Sequence, residues 1–470
     1  MSSLLNKKQL QKFSIFFITI LLINCGKDDE VTVSDDVFLG VGKWKVRRSG
    51  PNSNKSNACS VSDLIFNNNL SFKIYTSDNN VIIGTYTVIA EDEISLSSAS
   101  GQTGLVNNIE IENNSISFQI DFEGVCQGLL EGEKDTSYEE NKTYIADTAF
   151  ENYLISIGAD DIPDQFVLTS NIASIEALDM PDLGIRSLVG VEDFASLKGL
   201  NANQNQISGI VDLSNNTELL GVDLSNQPIE EIYLNNNPNL EVLFAWGTYA
   251  LSVLEFSNSP NLETLGIHDN LLTQLDVSNS PNIVEMRIWD SNLSELNLSG
   301  LDRLEILIAN NIFKSSDNEL ILPVNSSLRV ASINFNFISS LDLSTSPILD
   351  RVAINNNLLT QIDFSANPNI RFLDITANNI QSLDLSPIED LYWFRSLGNP
   401  FNCVTLNPFQ LESIPPNCEQ LGIQSGPGDE NTEGCFDNWG WIDFDSFPPN
   451  YEYSNTWVVE PDVIFSLECN

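Results

Sequence analysis

From Ile175 to about residue 401 the apolar positions keep one frame, Leu-x-x-Leu-x-Ile-x-x-Asn-x-Leu, followed by Leu-Asp-Leu-Ser and often Pro-Asn. The clearest copies are LLGVDLSNQPI from Leu219, LETLGIHDNLL from Leu262, IVEMRIWDSNL from Ile283, LDRVAINNNLL from Leu349 and IRFLDITANNI from Ile370. Degenerate copies begin at Ile175, Leu197, Leu240, Leu304, Leu328 and Leu391, which makes eleven. The starts at 262 and 283, and those at 349 and 370, differ by 21 residues. A fixed period of this size predicts a solenoid. Each unit supplies one short strand whose alternate residues point inward. No unit buries that face alone, so stacked neighbours share one continuous core. The recurring Asn, as at Asn270, Asn357 and Asn378, suits a ladder of side-chain amides that satisfies buried backbone groups at the turn. The LDLS segment is too short and too alternating for a helix, which predicts extended or turn-like structure on the convex side.

These residues resemble the leucine-rich repeat family, in its short, internalin-like bacterial form. The resemblance covers about half of the chain and implies binding as the general role of such arrays. Solenoids need caps. DTAFENYLISIG reads as a helical N-terminal cap: Thr148 and Glu151 fit a capping box, Phe150, Leu154 and Ile157 form one stripe, and Gly158 fits the stop. At the other end GNPFNCVTLNPFQLESIPPNC breaks the frame and resembles the cysteine-bearing cap that closes such arrays.

Residues 37–135 follow a period of two. GKWKVRRS, VSDLIFN, LSFKIYTS, VIIGTYTVI, ISLSS, NNIEIEN and SISFQIDF are short alternating runs separated by Asn, Asp, Ser and Gly, the pattern of an antiparallel barrel or sandwich. Gly42-Lys43-Trp44 and the later Gly84 to Tyr86 resemble the lipocalin-like domains of Bacteroidetes lipoproteins. A barrel of ~8 strands is either just filled by side chains or holds one small ligand, and the sequence leaves both open.

The start of the chain adds a location. Lys7, Lys8 and Lys12 precede the apolar run FSIFFITILLI, about half the ~20 residues of a membrane span. This is the form of a secretory signal peptide. Leu22-Ile23-Asn24-Cys25 resembles a lipobox, which implies diacylation of Cys25, and Lys27 to Glu30 resembles the export signal of Bacteroidetes surface lipoproteins. The expected organisation is a lipoprotein signal peptide over 1–24, a lipid anchor and tether over 25–36, a lipocalin-like barrel over 37–135 and a linker with helical cap over 136–174. The repeats with their cysteine-containing cap take 175–423, and a linker and small disulfide-linked module take 424–470. The fold class is mainly β.

Charge then excludes partners. The chain has 65 Asp and Glu against 21 Lys and Arg, a net charge of -44. Nucleic acid is excluded by repulsion, and cationic or neutral partners are favoured. The seven cysteines leave six after Cys25. An even count outside the cytoplasm argues for disulfides, with local pairs expected at Cys59–Cys126, Cys403–Cys418 and Cys435–Cys469. Spacing suggests these local pairs, although six cysteines allow 15 pairings and sequence alone proves none.

The single histidine, His268, lies inside the repeat. Aligning the position after the third inward residue puts Trp246, His268 and Trp289 on three consecutive coils, in one line at strand spacings of ~4.8 Å. Phe244, Gly266 and Arg287 lie two positions earlier, and Gly247, Asp269 and Asp290 one position later. Tyr392, Trp393 and Arg395 form a second, smaller group. The expected site is therefore Phe244, Trp246, His268, Asp269, Arg287, Trp289 and Asp290 on the concave face. Trp, Tyr and Arg dominate interface energetics, whereas a purely structural origin would have the rings packing only on one another. The leading reading is a monomeric, lipid-anchored outer-membrane protein, surface-exposed, whose concave face binds a protein or glycan. A second reading is a small-ligand carrier that uses the barrel. A third is glycan hydrolysis by Asp269 and Asp290, at the ~5 Å separation of retaining enzymes. One histidine assembles no catalytic triad and no Cys or His cluster holds a metal, so no enzyme, metal or cofactor is expected.

Overall fold

The computed structural model describes residues 42–48, 61–66, 71–76, 81–90, 92–98, 102–112, 114–122, 126–134, 141–324, 327–412, 456–459 and 463–469. The signal peptide, Cys25, Cys59, Cys418 and Cys435 lie outside the described residues.

The alternating runs form a closed antiparallel barrel. Its strands are β1 (Gly42–Arg48), β2 (Val61–Phe66), β3 (Ser71–Thr76), β4 (Val81–Ala90), β5 (Glu93–Ser98), β6 (Thr103–Glu112), β7 (Ser115–Phe122) and β8 (Cys126–Lys134), with β8 returning to β1. In β7 the period of two reads directly as burial: Ile116, Phe118, Ile120 and Phe122 face in, and Ser115, Gln119 and Asp121 face out. The interior is filled by Trp44, Phe66, Phe72, Ile74, Phe118 and Phe122, each at most 1% exposed. Of the two outcomes left open for a small barrel, the filled core is the one observed. The cleft among Thr103, Gly104, Leu105, Asn107, Gln119 and Asp121 lies on neighbouring strands β6 and β7 and is open to solvent.

A two-stranded ribbon, β9 (Lys142–Tyr144) with β10 (Phe166–Leu168), and helix α1 (Thr148–Ser156) cap the solenoid. The expected capping box is corrected by one residue. Asp147 caps α1, accepting from the Ala149 and Phe150 N–H groups at 2.8 and 3.0 Å. A carboxylate accepts more strongly than a hydroxyl and suits the positive helix end, so Asp147 displaces Thr148. Glu151, freed of that role, accepts from the Gln165 N–H instead.

The eleven repeat starts each deliver a parallel strand to one sheet, from Ala177–Asp179 to Trp393–Arg395. The inward Leu, Ile and Val residues of these coils join in one core, most of them fully buried. The second segments pair in short parallel sheets of their own on the other side, such as Gly209–Asp212, Ile229–Tyr233 and Val253–Glu255. The Asn ladder is present. Asn378 donates to Ile354 O and Ile375 O at 3.0 Å each and accepts from the Leu359 N–H at 3.1 Å, tying three stretches of backbone together.

The sheet has a twelfth strand that the repeat frame does not contain. Thr456–Val458 pairs with Trp393–Arg395, and Ile464–Ser466 pairs with Cys403–Thr405. The described tail thus adds a coil to the array rather than standing apart as a module. Trp457 is buried there, its ring 5.6 Å from Phe394 and 5.4 Å from Phe465. This corrects two expected disulfides. Pairing Ile464 with Cys403 brings the last cysteine to the last coil, and Cys403 bonds Cys469 across a Cα separation of 5.8 Å. Neither Cys403–Cys418 nor Cys435–Cys469 is then available. Cys126 is disulfide-bonded.

Barrel and solenoid meet through polar and aromatic contacts. Lys73 on β3 reaches Glu192 at 3.0 Å and Asp193 at 2.8 Å, in the first coil's turn. Burial opposes the charge on Lys73, but Glu192, Tyr75 and Asp193 outweigh it and hold its pKa well above the usual lysine value. Gly190, at φ 105°, donates to Glu192 at 2.7 Å, and a Cβ there would lie 2.5 Å from Ile145 and 2.7 Å from the Tyr144 carbonyl. Tyr75 packs edge-on against Tyr144 at 5.5 Å, and the Lys43 ammonium sits 4.1 Å from the Tyr144 ring centre.

Candidate binding surface on the concave face

The three rings aligned by the repeat form one stack. Trp246 and His268 lie 5.5 Å apart at 12°, and His268 and Trp289 lie 3.7 Å apart at 13°. Parallel pairing of the strands Val242–Phe244, Thr264–Gly266 and Glu285–Arg287 fixes their register. Because the rings stack along the array, their faces lie against one another. The concave surface is therefore offered ring edges. Stacked pairs of this kind contribute ~0.5–1.5 kcal/mol each beyond area burial, so part of the stack's role is structural.

His268 is tied down further: its Nδ1 lies 2.8 Å from Asp269 Oδ2, and its side chain is 15% exposed. Burial is the dominant influence and lowers its pKa, outweighing the bond to Asp269 and the Asp290 charge that raise it. The ring is thus neutral at pH 7. Phe244 lies over Gly266 on the next coil, where a Cβ would meet its ring at 2.8 Å. That missing side chain is what lets Phe244 spread across the strand below His268. Arg287 donates to Glu285 on its own strand.

Asp269 and Asp290 have a conformational explanation. Eleven coils each place one residue, directly after the stack position, at φ between +52° and +73°: Asp182, Gln204, Asn226, Gly247, Asp269, Asp290, Asn311, Phe335, Asn356, Ala377 and Gly398. Asn, Asp and Gly tolerate this left-handed region best. Aspartate at 269 and 290 meets that demand, and each carboxylate already accepts a hydrogen bond, from His268 or Asn311. Geometry thus keeps all seven expected residues together, but removes the carboxylate pair as an independent reason for a site. Phe335 breaks the rule. A bulky residue at this φ costs ~1–2 kcal/mol, and Phe337, at φ 59°, is a second such case in the same coil. Neither was among the residues expected from the sequence, although Phe335 is the aromatic exception in a column otherwise of Asn, Asp, Gln, Gly and Ala.

The second aromatic group extends beyond Tyr392, Trp393 and Arg395. Phe372 packs 6.0 Å from Tyr392, Arg351 lies 5.0 Å over Phe372, and Arg395 lies 5.7 Å over Trp393. Asp350 joins Arg351 to Arg371, at 3.3 and 2.6 Å.

No family model matches the chain, and no curated protein matches it. Among solved structures it is similar to the functional domain of InlJ from Listeria monocytogenes, at 21% identity over 58% of this chain and 58% of that one, with a TM-score of 0.41. The match thus spans less than two thirds of the InlJ domain. It is also similar to the internalin inlF of Listeria monocytogenes, at 18% identity over 56% of this chain and 90% of that one, TM-score 0.41. A third is the Arabidopsis receptor kinase HAESA in complex with the peptide hormone IDA and the co-receptor SERK1, at 18% identity over 51% and 48%, TM-score 0.38. These neighbours are leucine-rich repeat proteins, and the chain's own strand pairing and Asn ladder define a leucine-rich repeat solenoid behind an eight-stranded antiparallel barrel.

Proposed function

We propose that the chain is a non-enzymatic recognition protein, displayed on the outer membrane by a lipid on Cys25, whose concave face binds a polypeptide. The carrying observation is the Trp246–His268–Trp289 stack, partly exposed on an open surface. A sugar ring stacks on an aromatic face, and the inner faces of this stack are occupied by one another. Edges and indole N–H groups suit polypeptide backbone and side chains better. The filled barrel favours this reading over the carrier. The test is a mixed array of glycans and proteins probed with the full chain. Specific binding confined to proteins supports the proposal; binding confined to glycans overturns the choice of ligand class. Anchoring has its own test: Cys25→Ala should move the protein from the membrane fraction to the soluble one, and retention would refute the lipid. External protease should digest the wild-type protein on intact cells, and full protection would place it on the periplasmic side.

A further inference from the structure

Phe335 and Phe337 occupy strained backbone yet remain 46% and 47% exposed. Neither gains from burial what its conformation costs. Leu358, 37% exposed, follows Asn357 as Phe337 follows Asn336, and its N–H donates to Ile338 O at 2.8 Å, so the three side chains share one rim of the concave sheet. Tyr249 and Leu271 hold the corresponding place after Thr248 and Asn270 on earlier coils, 63% and 48% exposed. Exposed apolar residues that gather in rows mark interaction surfaces. The exposed residues form two groups, Tyr249 with Leu271 and Phe335, Phe337 with Leu358, separated by two coils that carry Asn292 and the buried Phe313 at this position; end to end they span five strand spacings, ~24 Å, the length of a helix of ~16 residues.

We infer that this rim docks a basic, apolar-faced segment of another protein. Charge selects the occupant. The chain carries -44, and Asp269 and Asp290 line the adjoining left-handed row. Lys314, bonded to Asn311 between the two apolar groups, only partly offsets them. A second copy of this chain, a nucleic acid and an anionic lipid are all repelled, whereas lysines flanking an apolar stripe are attracted. The rim is distinct from the aromatic stack, and the two are separable by mutation.

The experiment is fluorescence anisotropy of the full chain with an 18-residue amphipathic peptide of leucine and lysine. Controls are its glutamate-for-lysine counterpart and phosphatidylcholine vesicles. The lysine peptide should bind, and the glutamate peptide at least tenfold more weakly. Replacing Phe335→Asn and Phe337→Asn together should weaken binding at least tenfold while raising the melting midpoint by ~2–4 °C, since Asn is at home at this φ. Trp246→Ala with Trp289→Ala should leave peptide binding within twofold, so failure of the rim and failure of the stack read out separately. No binding of the lysine peptide, equal binding to the Asn variant, or a lowered midpoint in that variant would overturn the rim as a docking site. Vesicle binding lost in the Asn variant would overturn the protein occupant in favour of a lipid surface.

Discussion

Lys73→Met tests the junction between barrel and solenoid. The ammonium lies between Glu192, whose side chain is 1% exposed, and Asp193, whose side chain is 25% exposed. Asp193 keeps water and the Thr143 hydroxyl, 2.8 Å away. Glu192 keeps the Gly190 N–H. Removing one partner of a buried pair costs ~3–5 kcal/mol. The same cost fixes a pH dependence. With the cation gone, burial and Asp193, which already raise the Glu192 pKa, are opposed only by backbone hydrogen bonding. Losing the Lys73 charge raises the Glu192 pKa further above the ordinary carboxylate value. The folded variant then binds more protons than its unfolded chain, so its stability rises as pH falls from 8 towards 5. The assay is urea denaturation of the full chain at pH 8 and pH 5, at unchanged slope. Lys73→Met should lose at least ~3 kcal/mol at pH 8 and less at pH 5, and adding Glu192→Gln should recover part of the loss. A loss below ~1 kcal/mol at pH 8, or one that does not change with pH, refutes the reasoning.

Four further outcomes are expected. The sole histidine gives one imidazole signal, whose NMR titration midpoint should fall below ~6.5; stability contributed by the neutral ring is present above that value and is lost as pH falls through the lowered pKa, and a midpoint at or above 6.5 contradicts the burial argument. Asn357→Ala removes the donor to the Ile333 carbonyl and the acceptor of the Asn336 and Ile338 N–H groups and should cost at least ~1–3 kcal/mol by thermal denaturation; a cost below 0.5 would deny the ladder its role. Gly266→Ala forces Phe244 aside and should cost ~1–3 kcal/mol, with a changed indole fluorescence beside it; an unaltered emission spectrum would show that the stack does not rest on Phe244. Cys469→Ala opens the terminal coil, so limited proteolysis should cut near residue 456 faster than in wild type, and equal rates would mean that Trp457 alone holds the coil.

The repeat was legible because its period is written in large apolar residues, each pointing into one core. Once the frame is set, alignment alone puts Trp246, His268 and Trp289 in a row. What alignment leaves open is side-chain direction: ring faces against one another rather than outward, and Asp269 and Asp290 selected by backbone conformation. The terminal coil was illegible for another reason. Its strands, three residues each, carry no repeat frame and join the array after a long intervening stretch, so cysteine spacing pointed to local pairs that the pairing of Ile464 with Cys403 rules out. β8, CQGLLEGEK, lacks the clean alternation of β7, and only closure of the barrel reveals it. Lys73 and Glu192 are separated by 119 positions in the chain, and no local pattern announces such a contact.

The central claim is recognition through the aromatic stack, and the most direct measurement is the dissociation constant of the strongest protein hit from the array for the wild-type chain and for Trp246→Ala with Trp289→Ala. Loss of two hot-spot rings at ~1–2 kcal/mol each predicts a Kd raised roughly 30- to 1,000-fold, with circular dichroism unchanged. A Kd within twofold of wild type would leave the stack a packing feature and contradict the account.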